Sequence, residues 1–308
     1  MTDSLRPVAA ILQEMELFAG RLHVGWPVSS IAVGDHDVIL LRTWSPSELL
    51  SLARQTMAQI VVYSMESLAA EMTVFFDWQL TSEAECEQLI AGAAAQQAAS
   101  REPSAVTEKS QLKAALFLDR DGVVNVDHGY VGEVQKVELI PHVANLVARA
   151  NHHKKFVVVV TNQSGIGRGY YSESDFHHVM QRISEYLRTD GGHIDHVEFS
   201  PFHPLAHEQK YRWHRQFRKP RPGMIHRAAR LHGLDLSRSM LIGDRQNDVI
   251  AGVLAGVGQN FLLASDQILE DRRRFENWRV TLEQKLGLSE LMKQTSFHVL
   301  SGLEEARV

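Results

Sequence analysis

The chain has 308 residues, of which 44% are hydrophobic and 22% charged, and its formal net charge is -5. This composition is typical of a globular protein, and the acidic balance predicts neither nucleic acid nor a membrane surface as a partner. The single cysteine, Cys86, excludes an internal disulfide and a cysteine-based zinc cage. Since no uninterrupted apolar run could cross a bilayer and no secretory signal starts the sequence, we expect a cytoplasmic protein.

Residues 1–105 predict a small α/β domain. Two short apolar runs, at 38–41 and 60–63, are typical of buried strands. Residues 45–48 combine an N-cap serine, a first-turn proline and a glutamate three residues after the cap, and residues 82–85 repeat this helix-start signal. This domain contains no catalytic constellation, so we expect it to mediate self-association, docking to another protein or regulation.

A linker separates this domain from a second one at 106–308. Residues 92–111 are rich in Ala, Gln and Ser and lack apolar periodicity. Beyond them, amphipathic segments alternate with apolar runs at 115–118, 156–160, 240–242, 261–263 and 297–300. This alternation predicts a Rossmann-like parallel sheet with helices on both faces. The charged segment 265–295 predicts an insertion before the last strand.

Polar residues follow the first strand of the second domain. Asp119 and Asp121 come directly after the apolar run at 115–118. Two carboxylates at one strand end can share a pocket, where one attacks phosphorus and the other handles the proton of the leaving group. A polar turn capped by aspartate explains the pair equally well when it is considered alone.

The second strand ends in groups that can donate hydrogen bonds to phosphate. Thr161 and Asn162 are followed by a loop with glycines at 165, 167 and 169. The glycine spacing differs from the Gly-x-Gly-x-x-Gly pattern of dinucleotide-binding folds, which argues against a nucleotide cofactor.

A lysine between an arginine and a proline forms the third element. Lys219 follows Arg218 and precedes Pro220, so its backbone is restrained and its ammonium can be held against a phosphoryl group. A solvated basic loop is the alternative interpretation.

An acidic pair follows the run at 240–242. Asp244 and Asp248 offer the oxygen ligands that a hard cation prefers, and we expect Mg²⁺. Asp244 is the predicted ligand, while Asp248 binds through water or orients its neighbours. The alternative is a pair of turn or helix-cap carboxylates.

In this order the motifs resemble those of the haloacid dehalogenase superfamily of phosphatases. The segments DRDGVVNVDHGYV at 119–131, TNQSGIGRGYY at 161–171 and RKPRPGM at 218–224 are most similar to the branch of heptose 1,7-bisphosphate phosphatases and histidinol phosphatases. The resemblance covers 113–264 and the closing segment 297–305, and it leaves the first domain unexplained. It implies a haloacid dehalogenase fold with a minimal cap.

The resemblance also implies a Mg²⁺-dependent phosphomonoester hydrolase that forms an aspartyl-phosphate. Asp119 would be the nucleophile, Asp121 the general acid/base with its backbone carbonyl on the metal, and Lys219 the residue that stabilises the phosphoryl group. The implied catalytic residues are Asp119, Asp121 and Lys219, the substrate-binding residues are Thr161, Asn162 and Arg218, and the metal ligands are Asp119, Asp121 and Asp244.

One feature of that branch, a zinc-binding loop, is changed in this chain. The usual Cys-Pro-His-His-Pro and Cys-x-Cys ligands correspond here to Ser200, Phe202, Arg215 and Phe217, so we do not expect a structural zinc ion. The nearby histidines, His203, His207 and His214, lack an obvious fourth ligand.

We expect side-chain packing to hold this loop in place of zinc. The aromatic residues available for it are Phe202, Tyr211, Trp213 and Phe217. The basic residues of the loop would meet the far end of an anionic substrate, or would be solvated; they are Lys210, Arg212, Arg215 and Arg218.

The expected substrate is a small phosphorylated sugar such as D-glycero-D-manno-heptose 1,7-bisphosphate. Histidinol phosphate is an alternative, because a similar domain hydrolyses it. A polynucleotide 3'-phosphatase shares the Thr-Asn-Gln and Arg-Lys-Pro elements, although the acidic charge disfavours it. A phosphatase fold that has become a non-catalytic scaffold is the remaining alternative.

Overall fold

A computed structural model describes residues 112–208, 211, 215–264 and 293–308, four strands nearer the N-terminus, and isolated helical residues at 273, 276, 277 and 280. The chain divides into two compact units, Met1–Glu108 and Lys109–Val308. Among the described residues, none of the helices combines the length and apolar character needed to span a membrane.

The first unit contains a four-stranded parallel sheet whose strands pair in chain order. The strands are β1 (Leu22–Val24), β2 (Val38–Leu41), β3 (Gln59–Tyr63) and β4 (Trp78–Leu80). The apolar runs at 38–41 and 60–63 coincide with β2 and β3. The helix starts predicted at 45–48 and 82–85 lie outside the described residues.

The second unit is built on a six-stranded sheet, and all of its strand pairs are parallel. Its strands are β5 (Ala115–Leu118), β6 (Phe156–Asn162), β7 (His196–Ser200), β8 (Met240–Gly243), β9 (Gln259–Leu263) and β10 (Ser296–Leu300). The predicted parallel sheet is therefore confirmed, with one strand, β7, that the apolar pattern did not predict. Most of the predicted insertion at 265–295 lies outside the described residues.

Helices cover this sheet. They are α1 (Val143–His152), the single turn α2 (Ser164–Gly167), α3 (Glu173–Thr189), α4 (Gly223–His232) and α5 (Gln246–Ala255). Short 3-10 turns occupy Val134–Lys136, Arg215–Phe217, Leu236–Arg238 and Leu303–Glu305. α1 packs on α3, and α4 packs on α5. All four residues of β5 are buried, and since successive side chains of a strand point to opposite faces, both faces of the sheet are covered.

Local sequence explains where these helices begin and which face they bury. α1 buries Val143, Leu146, Val147 and Ala150, the i, i+3, i+4, i+7 spacing of one helix face. At the start of α3, the Ser172 hydroxyl accepts a hydrogen bond from the Asp175 N–H, and the Asp175 carboxylate accepts one from the Ser172 N–H. The Ser172 N–H and hydroxyl both donate to the Asp175 carboxylate, and these two bonds lower the pKa of Asp175.

The strand order determines where a ligand can bind. The sheet runs β10-β9-β8-β5-β6-β7, so the chain leaves β5 towards β6 on one side and later returns to β8 on the other. Such a reversal opens a crevice at the carboxyl ends of the strands, where ligands of open α/β sheets bind. The loops after β5, β6 and β8 border this crevice.

Candidate active site

A pocket opens at the carboxyl ends of β5 and β6. Its lining contains every predicted catalytic and substrate-binding residue, namely Asp119, Asp121, Thr161, Asn162, Arg218 and Lys219. Asp244 lies beside it, because ligand atoms of Asp119, Asp244 and Asp248 all fall within 4.8 Å of one another. The structure thus brings together the residues that sequence reasoning selected from four separate segments.

Lys219 is the buried cation at the centre of the pocket. Its Nζ lies 2.8 Å from Asp119 Oδ1 and 2.6 Å from Asp248 Oδ1, and it donates a hydrogen bond of 2.7 Å to the Val160 carbonyl. Burial lowers the pKa of Lys219, but the charges of Asp119 and Asp248 outweigh burial, and the net pKa is raised. The ammonium therefore stays charged and points at the predicted nucleophile.

Three carboxylates lie together here: Lys219 pairs with Asp119 and Asp248, and Arg245 Nε lies 3.7 Å from Asp244 Oδ2. Burial raises the pKa of Asp119 to about 8, and the charges of Asp248 and Asp244 act in the same direction against the opposing charge of Lys219. Burial and Asp248 likewise raise the pKa of Asp244 to about 6. The buried Oδ1 of Asp244 accepts no hydrogen bond from any residue that the structure describes. A hard divalent cation would relieve both conditions, so these residues fit Mg²⁺.

A glycine lets the loop after β5 pass close to the carboxylate cluster. Gly122 has a φ of +89°, and a Cβ placed on it would lie 2.3 Å from Asp244 Oδ2. The backbone N–H of Asp119 donates to the Ile242 carbonyl at 3.0 Å, which ties the end of β5 to β8. Asp119 and Asp244 are therefore held together by backbone contacts as well as by their position in the sheet.

The Asp121 carboxylate is fixed by a ring of donors. Arg120 Nη2 lies 2.7 Å from both of its oxygens, Asn125 Nδ2 donates to Oδ1 at 3.1 Å and Gln163 Nε2 donates to Oδ2 at 2.9 Å. The Arg120 side chain is fully buried, with its guanidinium 5.6 Å from the centre of the Phe176 ring. The orientation of Asp121 is thus determined before any substrate arrives.

A chain of hydrogen bonds connects the pocket wall to Thr161. Tyr171 donates from its hydroxyl to Gln163 Oε1, and Gln163 Nε2 donates to Thr161 Oγ1 at 2.7 Å. Because the Thr161 oxygen accepts this bond, its own proton can be donated into the pocket. Burial raises the pKa of Tyr171 to about 12, so its hydroxyl keeps its proton at neutral pH. Sequence reasoning assigned no role to Arg120, Gln163 or Tyr171.

Two further predicted residues are oriented by main-chain contacts. The side-chain amide of Asn162 is hydrogen-bonded to the backbone of Lys219. Arg218 Nη1 donates to the Phe202 carbonyl at 3.2 Å, which directs this side chain along the pocket wall.

Three of the four positions that correspond to zinc ligands in the resembling branch, Ser200, Phe202 and Phe217, have side chains that are buried or packed against the core. Phe217 is buried, with the Arg227 guanidinium 4.6 Å from its ring centre. Phe202 packs against the core, and Tyr211 is buried there. Ser200 is buried at the end of β7. The remaining residues of the predicted loop, namely Lys210, Arg212, Trp213 and His214, and the side chain of Arg215, lie outside the described part of the chain.

The chain is similar to known phosphatases and to a hydrolase family. A HAD-hydrolase-like family model matches residues 216–267. The D-glycero-alpha-D-manno-heptose-1,7-bisphosphate 7-phosphatase of Burkholderia mallei is 46% identical over 149 residues, which are 48% of this chain and 79% of that protein. The D-glycero-beta-D-manno-heptose-1,7-bisphosphate 7-phosphatase of Rhodopseudomonas palustris is 38% identical over 152 residues, 49% of this chain and 84% of that protein. A solved structure of D,D-heptose 1,7-bisphosphate phosphatase from B. bronchiseptica, complexed with magnesium and phosphate, is 28% identical, covers 62% of this chain and 93% of that chain, and gives a TM-score of 0.47.

Proposed function

Because the chain belongs to the haloacid dehalogenase superfamily of phosphatases, we propose that it removes the 7-phosphate of D-glycero-D-manno-heptose 1,7-bisphosphate. The observation that carries this proposal is the arrangement of Lys219, whose ammonium lies 2.8 Å from Asp119 and 2.6 Å from Asp248. A buried cation between two carboxylates places positive charge where a phosphoryl group would be transferred. The sugar itself is suggested by the substrates named for the two sequence relatives.

The proposed first step is attack of the Asp119 carboxylate on phosphorus. A bond forms between Asp119 and phosphorus, the bond between phosphorus and the sugar oxygen breaks, and Asp121 gives a proton to the departing oxygen. The side-chain hydrogen bonds described at the Asp121 carboxylate are all donated to it, so acting as the acid requires that one of them be released to make room for the proton.

The proposed second step hydrolyses the aspartyl-phosphate. Water attacks phosphorus, its proton passes to Asp121, and Asp119 is regenerated as inorganic phosphate leaves. The Asp121 carboxylate is oriented for this acceptor role by its hydrogen bonds from Arg120, Asn125 and Gln163. Lys219 and the Thr161 hydroxyl would hold the phosphoryl oxygens in both steps.

The residues that would hold Mg²⁺ are Asp119, Asp244 and Asp248, whose ligand atoms lie within 4.8 Å of one another. The family resemblance adds the backbone carbonyl of Asp121. When bound, the ion neutralises phosphate charge and fixes the substrate for in-line attack. Asp248 thereby joins the predicted ligand set as a shared partner of the metal and of Lys219. We expect no structural zinc, since packed residues such as Phe202 and Phe217 occupy two of the four corresponding positions.

The test is phosphate release from a panel of phosphomonoesters with Mg²⁺ and with a chelator. The panel contains both anomers of heptose 1,7-bisphosphate, histidinol phosphate and a DNA oligonucleotide with a 3'-phosphate. We expect Mg²⁺-dependent release of one phosphate per heptose bisphosphate, with the 1-phosphate retained in the product as seen by ³¹P NMR. A higher kcat/KM for histidinol phosphate or DNA would replace the proposed substrate, and inactivity on every ester would favour the scaffold.

A further inference from the structure

The side-chain amide of Gln163 joins two residues of the proposed mechanism. Its Nε2 donates to Asp121 Oδ2 at 2.9 Å and to Thr161 Oγ1 at 2.7 Å. An amide NH2 group carries two protons, so these two bonds use both of them. Gln163 is buried, and its backbone N–H donates to the Ser200 carbonyl at 2.7 Å, which ties it to the end of β7. The direction of this amide therefore affects Asp121 and Thr161 together.

Tyr171 determines which way the amide faces. A rotation by half a turn would exchange the oxygen and the nitrogen of the Gln163 side chain, and it would turn Oε1 towards the Asp121 carboxylate, where two acceptors would meet. The Tyr171 hydroxyl donates to Gln163 Oε1 in the observed orientation. A buried oxygen that loses its donor is costly, so this hydrogen bond stabilises the orientation in which Nε2 faces Asp121.

Two glycines let the ring of Tyr171 reach this position. A Cβ placed on Gly132 would lie 2.4 Å from Tyr171 Cγ, and a Cβ placed on Gly165 would lie 2.3 Å from Tyr171 Cε1. Neither position could carry a side chain without displacing the ring, because protein interiors are closely packed. The ring is therefore held against the backbones of two separate segments, which restricts where its hydroxyl can point.

From this arrangement we infer that Tyr171 is a positioning residue for protonation of the leaving group and that it acts through the amide of Gln163. The inference rests on the proposed function and deepens it. In the proposed first step, the proton of Asp121 passes to the sugar oxygen while the bond between that oxygen and phosphorus breaks. The Gln163 amide holds the Asp121 carboxyl in line with the departing oxygen, and Tyr171 holds the amide. Without the Tyr171 hydroxyl the amide turns or shifts, and the alignment of Asp121 is lost.

The test compares a sugar ester, heptose 1,7-bisphosphate, with an aryl ester, p-nitrophenyl phosphate. The parameter is kcat/KM, which covers the steps up to departure of the leaving group. We expect Tyr171→Phe to lower kcat/KM for the sugar ester roughly 10- to 100-fold, the effect of misplacing a catalytic group by about 1 Å. The aryl ester should be affected much less, because p-nitrophenolate departs without taking up a proton. Tyr186→Phe makes the same change at an exposed tyrosine of α3, and both esters should be hydrolysed as by the wild type.

A double-mutant cycle shows whether Tyr171 acts through Gln163. Gln163→Met keeps the length of the side chain but removes the amide, and it should show the same dependence on the leaving group. Adding Tyr171→Phe to Gln163→Met should cause no further loss, because the residue through which Tyr171 acts is already gone. Losses that multiply would overturn the inference, since Tyr171 would then act on the substrate directly or through Arg120, whose charge it also feels.

An equal loss of kcat/KM for the two esters would also overturn the inference, because it would mean that Tyr171 only supports the shape of the pocket. Thermal unfolding and the Kd for Mg²⁺ identify a variant that is misfolded, and the leaving-group comparison is then decided by the other single variant. If the wild type hydrolyses another sugar or alkyl ester of the panel in place of the heptose compound, the proposed substrate fails and the comparison uses that ester. A wild type that hydrolyses no ester overturns the proposed function, and the inference with it.

Discussion

Asn162 and Lys219 are joined by two reciprocal hydrogen bonds, although 57 residues separate them. Asn162 Nδ2 donates to the Lys219 carbonyl at 3.0 Å, and the Lys219 N–H donates to Asn162 Oδ1 at 3.0 Å. The amide thus pairs with the peptide groups of Lys219 as a neighbouring strand would. The sequence suggested Asn162 as a phosphate ligand, and the structure adds a second use, because the position of the lysine backbone determines where its ammonium lies.

The first prediction concerns the two hydrogen bonds between Asn162 and Lys219. Asn162→Ala should lower kcat roughly 10- to 100-fold, since a displacement of about 1 Å of a catalytic group has effects of that size. If Asn162 only bound phosphate, its replacement would raise KM and leave kcat nearly unchanged. Steady-state kinetics on the substrate identified by the panel separate the two, with Asn151→Ala, which removes one exposed hydrogen bond to the His193 N–H, as the matched control. An unchanged kcat in Asn162→Ala would show that these two hydrogen bonds do not position Lys219 for catalysis.

The second prediction addresses the covalent step. Asp119→Asn should lower kcat by roughly three orders of magnitude or more, because an amide cannot form the aspartyl-phosphate. Rapid acid quenching with ³²P-labelled substrate should trap phosphate on the wild-type protein and none on the variant. Asp190→Asn, at the exposed end of α3, is the control. Turnover by Asp119→Asn at even a tenth of the wild-type rate would contradict this nucleophile.

The third prediction is that Mg²⁺ binding releases protons. Without a cation the pKa of Asp119 is raised to about 8 and that of Asp244 to about 6, so the carboxylate cluster retains part of a proton near neutral pH. Because the metal requires ionised carboxylates, it must displace this proton, and its affinity should rise as the pH rises from about 6 to about 8 and level off above. The affinity for Mg²⁺ should rise by at most roughly tenfold per pH unit, because one proton is displaced.

Titration calorimetry at pH 7 in two buffers with different ionisation enthalpies measures this proton release directly. The same experiment on Asp119→Asn should show weaker binding and a smaller release, since the group with the more strongly raised pKa is gone. Equal heats in the two buffers would mean that Asp119 is already ionised in the metal-free protein.

Most of the second-unit sheet could be predicted because its strands are continuous apolar runs buried on both faces, as β5 and β6 are. β7 could not be predicted in this way, because His196 and Glu198 interrupt its apolar pattern. Glu198 is buried nonetheless, since Arg227 on α4 and His196 both bind its carboxylate. A buried charge is tolerated only when it is paired, and the partner on α4 cannot be identified from the local pattern of β7.

The candidate site also contains residues that could be predicted from the sequence and residues that could not. Residues such as Asp119 and Thr161 were predictable because they follow apolar strands, where parallel sheets bind ligands. The contact of Gln163 with Asp121, across 42 residues, depends on how two loops approach each other in the folded chain. No periodicity or capping rule specifies that approach, which is why the donors around Asp121 were found only in the structure.

The last prediction uses Gly122, which approaches the carboxylate cluster more closely than any other residue type could. Gly122→Ala should cost about 1–2 kcal/mol in folding free energy because of its positive φ. Gly191→Ala should cost a similar amount, since Gly191 has a φ of +78° but open space around a Cβ. Only the first variant places a methyl group 2.3 Å from Asp244 Oδ2, so only there should the Kd for Mg²⁺ rise, by roughly tenfold or more. Thermal unfolding and titration calorimetry on both variants test this, and an unchanged Kd in Gly122→Ala would show that Asp244 does not hold the ion.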